Sequence, residues 1–327
     1  MLIGVGITFL IGIVWMFVGI IYSNATKDKK EFNLFMITCS IVYAAIAVGL
    51  PYLMSFGAVQ EFIPLKYMPV KPLCLVPLIE FIRLAVIMLG VSLFSNVGFF
   101  LLAVAMRMGS HSVAWGIMQS AIVLPFLTGW LFFKDNVNWI NLIGMILIVA
   151  ALAFMVCGKR LNTATQDVAQ NKNKEFLIFL FFAFFCTGIS QICALLPNKI
   201  TVFFPEATPF SEEVLAWRIP IVSTCGLLIW LAIALNAKTK ISFSQLKNAS
   251  SYAIVVFVGQ VLLYLAIDWL SSYNLSGVVY PLAMGCCIVL FSFFCMIYKH
   301  EKLHFLEKSG LAILSVGLFI QAISSIF

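Results

Sequence analysis

The chain is 327 residues long, 63% apolar and only 10% charged, with a mean hydropathy of +1.08. So little charge excludes the two soluble domains that the length alone would suggest. The excess of 20 Lys and Arg over 13 Asp and Glu is scattered over short loops, with no basic helix or aromatic-rich polar surface, so no nucleic-acid partner is expected.

A hydrocarbon core about 30 Å thick takes about 20 helical residues to cross. Backbone N–H and C=O groups in lipid must pair within their own segment, which makes spanning runs helical. Ten runs meet that length: 2–22, 32–56, 82–106, 112–133, 137–157, 176–196, 214–235, 252–271, 275–298 and 309–327. The expected fold is therefore an all-α integral membrane protein of ten transmembrane helices. The first run is too long for a signal peptide, and it lacks a basic start and a small-residue cleavage site.

Polar residues inside such runs usually face the bundle interior and are functional candidates. In the first run, Gly12 and Gly19 mark a close-packing face, and Trp15 between them is open to core or cavity. Glu80 and Arg83, three apart where the third run begins, read as an interfacial pair, and Asn96 as a lone amide that contacts substrate or bridges helices. Arg107 and His111 belong to the turn before the fourth run, where His111 reads as solvated. In that run Ser112, Trp115 and Gln119 share a face; Trp115 is either a cavity wall or an interfacial-belt indole.

Gln191 on the sixth run is a second lone amide. On the eighth run Gln260, Tyr264 and Asp268 recur every four residues, a polar stripe suited to a cavity wall or to interhelical hydrogen bonds. Arg218 on the seventh run lies at the depth of Asp268, so the two either pair, snorkel, or let Asp268 exchange a proton. Tyr280 on the ninth run offers a further aromatic wall. Pro125, Pro220 and Pro281 each remove a helical hydrogen bond and permit a kink. The run of Pro64, Pro69, Pro72 and Pro77 reads as an ordered outer loop.

The nine cysteines sit mostly in apolar runs and read as packing residues, so neither a disulfide framework nor a metal site is expected. Phosphate-loop and zinc-protease motifs are absent, and no cofactor and no enzyme activity are expected. With the N-terminus outside, fourteen basic residues fall on the cytoplasmic side, against six (Lys66, Lys71, Arg83, Lys134, Lys199, Arg218) on the other. The positive-inside rule then places both termini outside, in the plasma membrane.

Residues 158–174 (GKRLNTATQDVAQNKNK) are the most polar stretch, and as a cytoplasmic linker they divide the chain into five-helix units, 1–157 and 175–327. Shifting the chain by 166 positions lays Ser110 on Ser276, Lys134-Asp135 on His300-Glu301, and Gly144 on Gly310. Because five is odd, a second copy enters the membrane from the opposite face, so the repeats are inverted. This pattern, with Leu-Phe-Phe-Lys-Asp closing the fourth run and Ile-Tyr-Lys-His-Glu-Lys-Leu closing the ninth, resembles the drug/metabolite transporter superfamily. The lysine-rich loop after the first run and Ser95-Asn96-Val97-Gly98 through Gly109 resemble its L-rhamnose–proton symporter and sugar-porter branch.

The resemblance implies a secondary transporter that moves a sugar, amino acid or drug-like metabolite by alternating access. Its central cavity is expected between the third, fourth, eighth and ninth runs, with Asp268 the candidate for proton coupling. A lipid flippase or membrane-embedded enzyme is the rival reading, and the expected partners are a small solute, protons, the bilayer and at most a second copy of the chain.

Overall fold

The computed structural model describes residues 2–26, 29–55, 76–161, 167–234, 242–301 and 303–324. Among them there are only helices and connecting turns: α1 (Leu2–Ala25), α2 (Lys29–Ser55), α3 (Leu78–Met108), α4 (His111–Gln119), α5 (Val123–Leu131), α6 (Trp139–Leu161), α7 (Asp167–Phe203), α8 (Glu212–Leu215), α9 (Arg218–Ala234), α10 (Phe243–Ser271), α11 (Val279–Tyr298) and α12 (Phe305–Ser324). Among the described residues, nine stretches are long and apolar enough to cross a membrane, and α12 is a further apolar helix of 20 residues. Large apolar side chains also cover the outside. Val86 is 65% exposed, Ile146 65% and Phe319 66%, a surface that suits lipid rather than water.

Several helices outrun the apolar text. Gly158–Leu161 closes α6 and Asp167–Lys174 opens α7, so most of the expected linker is helix, while 162–166 lie outside the described residues. Polar residues propagate a helix readily once an apolar stretch has nucleated it. At its other end α7 runs past Pro197 to Phe203, which carries Lys199 into the packed structure, 4% exposed, rather than into an outer loop. The expected outer loop with Pro64, Pro69 and Pro72, together with Cys74, lies outside the described residues.

Pro125, Pro220 and Pro281 act alike. Pro125 and Pro281 are the third residues of α5 and α11, each preceded by a tight 3-10 turn, Ser120–Ile122 and Ser276–Val278. Pro220 is the third residue of α9, just after the turn at Ala216–Trp217. A proline ring clashes with the carbonyl four residues back, so each break falls where that carbonyl must turn away.

Without a hydrophobic drive between helices in lipid, close approach comes from small residues. A Cβ on Gly144 would lie 2.9 Å from the Gly317 carbonyl, and one on Gly310 would lie 2.7 Å from that of Ala151. Helices α6 and α12 thus cross backbone on backbone. Gly12 meets the Ala283 carbonyl in the same way, at 2.7 Å, and Gly19 lies against Phe291 and Trp115, packing α1 on α11 and α4. Helix α7 packs chiefly on α3, with α4 and α5 beside it, while α2 lies against α9 and α10.

Candidate functional site

Two turns frame the interior. After α5, Lys134 adopts φ 57° and the Asp135 N–H donates to the Gly129 carbonyl at 3.0 Å; after α11, His300 adopts φ 52° and the Glu301 N–H donates to the Cys295 carbonyl at 3.2 Å. Each of these three positions lies 166 residues from its counterpart. Each turn also aims its carboxylate at the helix start across the molecule. Asp135 accepts from the Ser276 hydroxyl at 2.9 Å and the Gly277 N–H at 2.7 Å. Glu301 accepts from the hydroxyls of Ser110 and Ser112 at 2.8 and 2.6 Å and from the His111 N–H at 3.1 Å. Free N–H groups and the dipole of a helix start attract a carboxylate.

The compensation differs between the two turns. Asp135 also binds the Lys199 ammonium at 2.8 Å, with both side chains buried. Glu301 instead lies 3.5 Å from the His111 imidazole. Burial works to raise the Glu301 pKa, but hydrogen bonds from His111, Ser112 and Ser110 outweigh it and hold the carboxyl down at about 2. The expectation of a solvated His111 therefore gives way, because the sequence cannot show which loop folds over which helix start. Glu80 and Arg83 do not form the expected pair either. Arg83 donates to the Thr208 hydroxyl and carbonyl, each at 3.1 Å, and Glu80 accepts from Ser211 at 3.2 Å, so both anchor the segment before α8.

Between the two turns lies a cavity of about 140 Å³ walled by α1, α2, α3, α4, α7, α9, α10 and α11. Among the residues expected to line a substrate site, Trp15, Asn96, Gln119, Gln191, Gln260, Tyr264 and Tyr280 all do border it. Trp115 does not. Its indole is fully buried, donates to the Cys287 sulfur at 3.3 Å and packs on Phe291, while its stripe neighbour Ser112 is occupied by Glu301. The wall supplied by α2, with Ser40 and Tyr43, and the α7 residues Thr187 and Ser190 beside Gln191 were not expected. Thr187 and Gln191 are four apart on one helix face, a signal like that on α10 which the run of phenylalanines around it masks.

The lining groups differ in how far the protein already uses them. The Asn96 amide donates to the Ser92 carbonyl at 2.7 Å and accepts from the Trp230 indole at 2.7 Å, so it bridges helices. The Tyr264 hydroxyl meets the Met88 sulfur at 3.8 Å. By contrast Trp15 Nε1, the Tyr43 hydroxyl, Thr187 Oγ1 and Gln191 Oε1 are buried without a hydrogen-bond partner among the described residues. An orphaned polar atom in a dry interior costs about 1–3 kcal/mol, so four around one cavity call for an explanation.

Asp268 lies behind the wall rather than in it. Arg218 grips both its oxygens, at 3.1 and 2.9 Å, and Asn198 donates to it at 2.6 Å. The guanidinium sits 4.5 Å over the Tyr264 ring, so the pair backs the cavity where α7, α9 and α10 meet. Nearer the start of α10, Tyr252 joins Tyr22, Phe32, Phe99 and Trp115 in an aromatic cluster, with Phe32 and Phe99 edge-on to Tyr22 and the Tyr22 hydroxyl donating to the Phe99 carbonyl.

No family model matches the chain, and a search of curated proteins finds no match. One solved structure, described as "Crystal structure of protein", superposes with a TM-score of 0.61 at 13% identity, covering 99% of each chain. At that identity the likeness speaks for the fold alone.

Proposed function

We propose that the protein is a secondary transporter of ten membrane-spanning helices in two inverted five-helix repeats, of the drug/metabolite transporter kind. It carries a small solute across the plasma membrane by alternating access, with both termini on the non-cytoplasmic side. The observation that carries this reading is the reciprocity of the two turns on either side of one cavity. A shift of 166 positions maps the Asp135–Ser276 contact onto Glu301–Ser110, and the Gly144–Gly317 crossing onto Gly310–Ala151. Two near-equivalent halves around a mid-depth site are what a two-gated carrier needs, and a single-interface enzyme has little use for them. A flippase would need cationic groups for a lipid phosphate, and the cavity wall carries none among the described residues.

The bidentate grip of Arg218 favours Asp268 as a fixed ionic partner over Asp268 as a proton carrier. Flux into proteoliposomes is then expected to proceed with or without a pH gradient. Asp268→Asn is expected to lower the melting temperature while leaving transport per folded molecule near normal. Flux that stops when the gradient is collapsed, with a stable Asp268→Asn protein that still exchanges solute between equal pools, would restore the proton-coupled reading. A protein that moves no solute in either assay would remove the transporter reading.

A further inference from the structure

We propose that the cavity takes an uncharged ring compound that carries both hydrogen-bond donors and acceptors, and that it rejects carboxylates, phosphates and ammonium groups; this rests on the transporter reading and names its substrate class. Among the described residues, none that borders the cavity is Asp, Glu, Lys, Arg or His. Arg218, which covers the Tyr264 ring of the wall, is neutralised by Asp268. A charged solute entering this site would lose its hydration and find no counter-charge, which is a prohibitive exchange in a low-dielectric interior.

An aromatic cage is the usual way to bind a cation without a carboxylate. Here one candidate face is already used. The Arg218 guanidinium, itself paired with Asp268, covers the Tyr264 ring, so that face is closed to a second cation.

The unpartnered groups define the complement. Trp15 Nε1 can only donate, so the solute must offer it an acceptor, and Gln191 Oε1 can only accept, so the solute must offer it a donor. Thr187 and Tyr43 can do either. Between these polar points the wall is largely apolar and includes the rings of Phe99, Tyr252 and Tyr280, which suits the apolar face of a sugar or the plane of a nucleoside base.

The test uses the full chain in detergent and in proteoliposomes, with D-glucose, uridine, glutamate, lysine and choline as probes. Thermal stabilisation and counterflow by glucose or by uridine is expected, and whichever responds identifies the source of the ring. Trp15→Phe, which removes the indole N–H, and Gln191→Leu, which replaces the amide by an apolar group of similar size, should each weaken that binding about three- to tenfold. Because Gln191→Leu deletes an orphaned carbonyl without leaving a void, it should not lower the melting temperature of the empty protein; a merely structural residue would behave oppositely. Counterflow of glutamate, lysine or choline would overturn the substrate class and leave the transporter reading standing. Saturable binding of a neutral probe without counterflow would do the reverse. Failure of both neutral probes to bind at millimolar concentration would also overturn the proposal.

Discussion

The turns at Asp135 and at Glu301 share a backbone and differ in their surroundings. Both use a left-handed residue, the same N–H to carbonyl closure, and a carboxylate capping a helix start far along the chain. Yet the Asp135 side chain is only 2% exposed and is matched by a buried lysine, whereas Glu301 is 16% exposed and faces a histidine. Geometry is thus common to the two ends, while the charge economy is particular to each. The Asp135 end depends on a closed ion pair, and the Glu301 end on a set of neutral donors.

That contrast can be broken at its strongest point first. Asp135→Asn keeps an oxygen for Ser276 and Gly277 but leaves the Lys199 ammonium buried without a counter-charge. It should destabilise the protein by about 3–5 kcal/mol. Thermal unfolding in detergent would show this, and adding Lys199→Met should recover most of the loss. Full stability of the single variant would mean that Lys199 finds water or another acceptor. The corresponding Glu301→Gln strands no lysine and weakens only the cap, so its cost should be about 1 kcal/mol. Equal effects of the two variants would erase the distinction between the ends.

The acid limb sharpens the same contrast. The Glu301 carboxyl titrates near 2 in the folded protein, against an ordinary value of 4.5. Between those values the unfolded chain binds the extra proton. The stability contributed by Glu301 is therefore complete above about pH 4.5 and is lost as pH falls toward about 2. Melting temperatures measured across that window should fall more steeply for the wild type than for Glu301→Gln.

The smallest effect concerns what the two turns share. Lys134→Gly and His300→Gly both remove the strain of a left-handed side chain and both add freedom to the unfolded chain. Each should change stability by less than about 1 kcal/mol, and by similar amounts at the two ends. A difference of several-fold between them would show that the backbone match conceals unequal strain.

The turns were legible in the sequence because a cation–anion pair, a helix start and a glycine recur there in fixed spacing. Part of the cavity wall was legible too, since Gln260 and Tyr264 stand out at helical intervals against apolar text. Which indole reaches the cavity was not. Trp15 and Trp115 both lie on apolar helices beside glycines, and only the third neighbour decides between them: Cys287 and Phe291 enclose Trp115, while Trp15 is left beside Gly259 with its N–H unpaired. Lys199 was misplaced for a related reason. Pro197 and a cation suggest a helix end, but a buried carboxylate from another segment makes it worthwhile for α7 to continue. Contacts between parts of the chain 130 or more residues apart, such as Ser92 with Val222, leave no trace in local spacing.

The reciprocal caps also bear on the order in which the molecule can be completed during synthesis. The start of α4 is made early, but the carboxylate that satisfies Ser110 arrives 191 residues later. Asp135, already in place, waits 141 residues for Ser276. Until the C-terminal stretch emerges, the first five spans hold an unsatisfied helix start at one end and a carboxylate without its serine at the other. A chain that stops before Glu301 therefore lacks the carboxylate that caps the start of α4.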